Sequence, residues 1–197
     1  LSLSNRKIDE KVFRCFPVLE TGRLRLRPLQ RRDAFDMFAL RTDPDVMRYM
    51  DVKAFRSVRE ARQWIAAYRL RFRKRKALVW TLAMKAEDRL IGYAGFWRMM
   101  PEQLRAEVAY ALMPSEWGKG LMSEALPAIL DFAFQRLRVH SIEADINPGN
   151  LKSRQLLERF GFSQEAHFRE NYFFDGRFID TDVFSILEQD WKERLIS

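Results

Sequence analysis

Glu107-Val108-Ala109-Tyr110-Ala111-Leu112-Met113, a turn, then Trp117-Gly118-Lys119-Gly120-Leu121-Met122-Ser123, then an apolar-periodic run to Leu137: this stretch decides the fold. The first part alternates as a strand does, and the last part repeats as an amphipathic helix. Between them, two glycines let the backbone turn its N–H groups toward one point. The helix start adds unpaired amides and the positive end of the dipole, so the junction predicts an anion cradle. A nucleoside-triphosphate loop is excluded, because the Lys119-Gly120 order is reversed and the spacing is short. A dinucleotide fingerprint is excluded too, since Ser123 stands where its third glycine should be.

Working outward, Leu78 to Met84, Leu90 to Met99 and Ala106 to Met113 read as three strands joined by short polar turns, which makes them antiparallel neighbours. Gly92 and Gly95 inside the middle strand predict a bulge or a close backbone approach. Glu107 falls in step with Ala109 and Ala111, small residues that leave room for a cavity beside a carboxylate. After the cradle, Leu126, Ile129, Leu130, Ala133, Phe134 and Leu137 share the core face of the helix. Pro127, two turns in, predicts a kink or a local rearrangement. His140 to Ile146 follows a crossover helix and so reads as a strand parallel to the one before the cradle. At its carboxyl end, where ligands gather in such sheets, stands Asn147-Pro148-Gly149-Asn150-Leu151-Lys152-Ser153. Asn150 caps a helix from Leu151 to Phe160, and Gly161 stops it.

These two stretches, in this order, resemble the GCN5-related N-acetyltransferases (GNAT). In the pyrophosphate loop of that family, Trp117 takes the Gln/Arg slot, Gly120 the glycine slot and Met122 the final small-residue slot. Trp-Gly-Lys-Gly-Leu-Met-Ser-Glu-Ala is similar to the form used by the RimJ/RimL-type branch, and Asn150-x-x-Ser153 with Gly161-Phe162 is the second family pattern. The resemblance implies a single-domain α/β fold: a mixed, mostly antiparallel sheet of about six to seven strands flanked by helices, with a parallel pair splayed at the cofactor site. It implies acetyl-CoA as co-substrate, held by Leu112, Met113, Trp117, Gly118, Lys119, Gly120, Leu121, Met122, Ser123, Asn147, Asn150 and Ser153. It also implies acetyl transfer to a primary amine, either a protein N-terminus, ribosomal proteins included, or a small molecule.

The chemistry needs an unprotonated amine, oxyanion stabilisation and a proton for the leaving thiolate. Amides near Leu112 and Met113, freed where the parallel strands part, are expected to serve the thioester carbonyl. Glu107, on the strand feeding the cradle, is the candidate base through water. Many family members carry a tyrosine acid four residues before the Gly-Phe pair, but that slot is Leu157 here. Ser153 is the candidate partner of the thiol, with Tyr172 as the second. Glu170, Asp175 and Asp182 are expected to make the wedge locally acidic if the final hairpin folds over it.

Composition bounds the rest. The chain has 197 residues, 47% hydrophobic, with 35 basic against 27 acidic side chains and a net charge of +8, which suits one domain and acidic ligands. One cysteine, Cys15, and two histidines are too few for an ordinary zinc site, and predict a reduced, cytoplasmic protein without metal. No apolar run reaches the roughly 20 residues that span a bilayer, so no membrane partner is expected. Residues 1–16 read as an N-terminal extension and 17–197 as the catalytic domain, monomeric or homodimeric.

Arg23 to Arg27 alternates as a strand whose arginines are expected in solvent. A helix is predicted from Asp33 to Arg41, a short one after Asp43-Pro44, and a third behind the capping box Ser57-Val58-Arg59-Glu60, with Ala61, Trp64, Ile65, Tyr68 and Phe72 on its core face. Its basic end, Arg69 to Lys76, permits a nucleic-acid-binding module as an alternative, but no recognition motif supports it. A third class is a cofactor-binding sensor without catalysis. Asp175-Gly176 between Arg169–Phe174 and Phe178–Leu187 predicts a closing hairpin, with His167 structural.

Overall fold

The computed structural model describes residues 7–196. Eight strands form one sheet: β1 (Leu19–Glu20), β2 (Leu24–Pro28), β3 (Leu78–Met84), β4 (Leu90–Met100), β5 (Arg105–Leu112), β6 (Ser141–Ile146), β7 (Ser163–Phe174) and β8 (Arg177–Leu187). Their order is β1-β2-β3-β4-β5-β6-β8-β7, and only β5 and β6 run parallel. The eighth strand, beyond the expected six or seven, is the two-residue edge piece Leu19–Glu20.

Among the described residues, six α-helices cover the sheet: α1 (Ala34–Leu40), α2 (Pro44–Met47), α3 (Val58–Arg73), α4 (Leu121–Asp131), α5 (Leu151–Arg159) and α6 (Glu188–Ile196). Two apolar cores lie against its faces. One joins Leu24, Trp80 and Phe96 to Leu126, Ile129 and Leu130 of α4. The other joins Met37 and Leu40 of α1 and Ile65 of α3 to Leu90 and Tyr93. Ile8 is buried in the first core, Asp9 N donates to Leu137 O at 3.0 Å, and Trp80 Nε1 donates to Pro17 O at 2.7 Å. Residues 1–6 lie outside the described residues.

The glycine expectation holds at both positions. A Cβ at Gly92 would stand 2.2 Å from Ala111 O, and one at Gly95 would stand 2.3 Å from Leu78 O, so only hydrogen fits between these strands. β4 is bulged at Ile91 against β3, between the pairs Leu82↔Gly92 and Ala83↔Leu90, and at Trp97 against β5, between Phe96↔Val108 and Arg98↔Glu107.

Several local expectations need correction. α4 runs through Pro127 as an α-helix, and the rearrangement comes more than a turn later, as a π-helical segment Phe132–Leu137. Glu60 does not reach back to Ser57: its Oε2 accepts from Arg56 N at 2.8 Å, one residue further out. Of the β2 arginines, only Arg25 is solvated. Arg27 is 2% exposed, bonded to both oxygens of Asp33 at 2.9 and 2.8 Å and to Asp88 at 2.7 Å. Alternation assigned it to solvent, but Asp33 on the next turn and Asp88 from the β3–β4 turn provide the charge a buried guanidinium requires. The closing hairpin is also longer than its sequence core, and Trp191 is buried, donating from Nε1 to Asp131 Oδ1 at 2.9 Å.

Candidate active site

The parallel ladder between β5 and β6 is short: Arg105↔Ser141, Ala106↔Ile142, Glu107↔Glu143. Beyond Glu107, β5 stays paired with β4 as far as Gly92↔Leu112 while β6 departs. Backbone groups on the β6-facing edge of β5 are thereby released. The amide of Met113 is not among them, because it donates to Ile91 O at 2.8 Å. Strand alternation then turns the amides of Leu112 and Tyr110 toward the gap, so Tyr110 takes the place of Met113 in the expected pair. Leu112 O faces the same way and accepts from Trp117 Nε1 at 2.9 Å, so the tryptophan folds its ring back over the mouth of the gap. Lys152 Nζ, at the start of α5, sits 4.7 Å from the centre of that ring.

Gly118 and Gly120 both have φ of 73°, left-handed backbone in which a side chain is strained. Gly120 is the N-cap of α4 and offers no side-chain cap, so the first-turn amides are left to a ligand or water. The loop is anchored from behind. Arg23 donates from Nη1 to Lys119 O at 2.9 Å and from Nε to Glu124 at 2.6 Å, while Glu124 also accepts from Arg23 N at 2.7 Å and Thr21 Oγ1 at 2.5 Å. Burial opposes the charge on Glu124, but the Thr21 and Arg23 hydrogen bonds and the Arg23 charge hold its carboxyl down to about 2. Lys119 itself points to Glu116, 3.0 Å away, and is absent from the cavity wall.

On the β6 side, Asn147 Oδ1 accepts from Gly149 N at 3.0 Å and its Nδ2 lies 3.3 Å from Asp51, so it braces the turn without lining the cavity. Asn150 caps α5 by accepting from Ser153 N at 3.2 Å, and Gly161, at φ of 85°, ends the helix as expected.

A cavity of about 1090 Å³ occupies the wedge, and Glu107, Tyr110, Gly118, Gly120, Asp145 and Ser153 are on its wall. Glu107 is 4% exposed, a buried carboxyl beside the cavity that the small residues Ala109 and Ala111 predicted. Burial first, and Asp145 next, push it up to about 7, with Trp97 and Arg98 pulling the other way. Arg98 Nη2 stands 2.6 Å from its Oε2 and 3.1 Å from Glu143, and Arg105 reaches Glu143 at 2.5 Å. The Arg98 donor is not aligned for a hydrogen bond to Oε2, which is left buried without one. Glu107, Glu143 and Asp145 bring carboxylate oxygens within 4.8 Å of one another, and two arginines share that cluster.

Across the wedge, Tyr110 Oη and Ser153 Oγ are 2.7 Å apart. Burial pushes the Tyr110 phenol up to about 12, so it keeps its proton at neutral pH. Tyr110 was missed in the sequence because the tyrosine sought was one on the helix before Gly161. The available signal was parity: Tyr110 shares the strand face of Val108 and Leu112, the face on which α5 packs. Tyr172 is not brought into this site; it is 47% exposed, paired with Ile179 on the hairpin, and off the cavity wall. Of the acidic groups expected over the wedge, Asp182 is buried under Arg154, Gln164 and His167, whose Nδ1 is 2.7 Å from it. Glu170 and Asp175 are absent from the cavity wall as well; Glu143 and Asp145 flank Glu107 instead.

The splayed parallel pair, the glycine cradle and the capped α5 coincide with a match of residues 23–163 to the acetyltransferase (GNAT) domain model. The chain belongs to the GNAT acetyltransferase family. The acetyltransferase is 34% identical over 173 residues to the uncharacterized N-acetyltransferase p20 of Bacillus licheniformis, covering 88% of this chain and 97% of that one. It is also 31% identical over 106 residues to the [ribosomal protein uS5]-alanine N-acetyltransferase of Escherichia coli, covering 53% and 55%. Among solved structures, the ribosomal L7/L12 alpha-N-protein acetyltransferase RimL, in complex with coenzyme A, superposes with a TM-score of 0.79 at 18% identity, over 87% of this chain and 98% of that one. The protein is an N-acetyltransferase of mixed α/β fold. No helix among the described residues is long and apolar enough to cross a membrane.

Proposed function

We propose that this acetyltransferase moves an acetyl group from acetyl-CoA to the α-amino group of a peptide or protein. The observation that carries the proposal is Glu107: a buried carboxyl pushed up to about 7, with one oxygen lacking a hydrogen bond, on the wall of the wedge. A base with that pKa is half ionised near neutrality and accepts a proton readily from an α-ammonium group, whose pKa is about 8. A lysine side chain, at about 10.4, is a poorer match.

The cradle fits a pyrophosphate. Two left-handed glycines and an uncapped helix start supply amides, nothing lies within 4 Å of a Cβ at Gly118, and Lys152 adds a nearby cation. Acetyl-CoA would be held there and would supply the activated acyl group. The gap-facing amides of Leu112 and Tyr110 suit a developing oxyanion. Glu107 takes the amine proton, directly or through water, and the Tyr110–Ser153 pair presents a hydroxyl proton for the departing sulfur. Its link to the RimJ/RimL-type branch has support from the uS5-alanine relative.

The test is acetyl transfer, read by intact mass, to free-N-terminus peptides, N-terminally blocked lysine peptides and polyamines. Free N-termini are expected to react first. Preferential modification of blocked lysine peptides or of polyamines would overturn the acceptor assignment.

A further inference from the structure

A second cavity, of about 690 Å³, opens between α3 and the β2–α1 connection, and Tyr68 and Val79 line both it and the active-site wedge. Its floor is apolar, with Leu29, Ile65, Phe72 and Val79, and its rim carries Arg31, Arg59, Arg62, Arg69 and Arg73 without a single acidic lining residue. Arg59, Arg62, Arg69 and Arg73 follow one face of α3 and are exposed. Arg62 lies over the Phe35 ring at 5.8 Å, and among the described residues Arg31, Arg59, Arg69 and Arg73 enter no ion pair. Arg23, Arg27, Arg98 and Arg154, by contrast, each face a carboxylate in a close ion pair. An unpaired cationic rim around an apolar floor is self-repelling unless something anionic occupies it.

We propose that this groove docks an acidic segment of the acceptor polypeptide, immediately downstream of the amine held in the wedge. The inference rests on the peptide acceptor proposed above. From Arg59 to Arg73 the helix spans about 21 Å at 1.5 Å per residue. An extended chain covers that distance in about six residues, and the shared lining residues Tyr68 and Val79 make the groove the neighbour of the wedge that holds Glu107. The apolar floor takes intervening side chains. A single-stranded nucleic acid fits less well, because it needs aromatic faces on which bases stack. Phe72 is engaged by Phe13 and Phe16 at 5.4 and 4.7 Å, and Tyr68 packs against the Trp64 ring at 4.1 Å.

The experiment compares three peptides sharing one N-terminal residue, with acidic, neutral or basic side chains at positions four to ten. The acidic peptide is expected to have kcat/KM about tenfold above the neutral one, through KM, with the advantage shrinking as salt rises. The triple charge reversal R59E/R69E/R73E should erase that advantage while leaving kcat on the neutral peptide unchanged, and R59K/R69K/R73K should keep most of it. Thermal shift with coenzyme A checks that both variants are folded and bind cofactor as the wild type does. Equal turnover of the three peptides would overturn the groove and leave the peptide acceptor standing. Turnover of small amines with no peptide modified would overturn both. Binding of a labelled RNA oligonucleotide tighter than the acidic peptide, lost in the reversal variant, would also overturn the groove, in favour of nucleic acid.

Discussion

The two sides of the wedge were written into the chain in different ways. On the cofactor side, the cradle and the start of α5 are set by local backbone chemistry: Gly118 and Gly120 at positive φ, Asn150 capping Ser153, Gly161 closing the helix. On the Glu107 side the arrangement comes from partners far apart in sequence, Arg98 with Glu107 and Glu143, as it does behind the wedge, where Arg154 and His167 meet Asp182. A local backbone requirement restricts which residue can stand at a position, and so leaves a readable mark. A long-range ion pair restricts only the presence of two charges, and such charges look the same in sequence as solvated ones.

The most consequential place at which to break this contrast is Glu107, a charge whose role depends on burial. Glu107→Gln is expected to lower kcat by about 10²-fold or more and to abolish the acid limb of the pH–rate profile, which in the wild type is expected to fall as pH drops through about 7. Stability carries the opposite sign. Because the folded carboxyl titrates near 7 rather than at 4.5, its contribution is complete below about 4.5 and is lost as pH rises through 7. The loss is about 3 kcal/mol, and chemical denaturation of the Gln variant across that range should show a flatter profile. An unchanged rate and pH profile would remove Glu107 as base.

Next is the cofactor side, at Gly120. Gly120→Val forces a β-branched residue to φ of 73° and disorders the cradle without entering the core. At about 100 times its dissociation constant, acetyl-CoA should stabilise the wild type by about 2.7 kcal/mol, a melting shift of roughly 5 to 10 °C. The Val variant should remain folded and lose the shift. Retention of the full shift would place the cofactor elsewhere.

The extent of the sequence reading follows from the same contrast. The strands around Gly92 and Gly95, the parallel crossover, the cradle and the α5 cap were all legible, because each rests on periodicity or on a residue with a restricted backbone. Arg27 was assigned to solvent by alternation and lies buried between Asp33 and Asp88. Met113 was credited with a free amide, yet register with Ile91, invisible without the sheet, uses it. Tyr110 went unnoticed because its value lies in the 2.7 Å contact with Ser153, on a helix that follows the next strand.

That contact offers a smaller test. Ser153→Ala and Tyr110→Phe should each reduce kcat about fivefold, the effect of one neutral hydrogen bond worth about 1 kcal/mol. If the two hydroxyls act as one relay, the double variant should lose little more than either single variant. Full multiplication of the two losses would show that they act separately.

The smallest effect is expected at Tyr172. Its ring is 47% exposed, it pairs across the hairpin with Ile179, and it is absent from the wall that carries Glu107 and Ser153. Tyr172→Phe removes only a hydroxyl from that surface and should change kcat and KM by less than about twofold, as surface substitutions away from a site do. The comparison with Ser153→Ala is informative because both residues were legible as acid candidates and only one lies in the wedge. If Tyr172→Phe instead lowered kcat tenfold at unchanged acetyl-CoA affinity, the hairpin of β7 and β8 would have to close over the acceptor during turnover. The proton donor would then belong to the acceptor side, and the division between a locally specified cofactor side and a long-range acceptor side would no longer match the division of chemical labour.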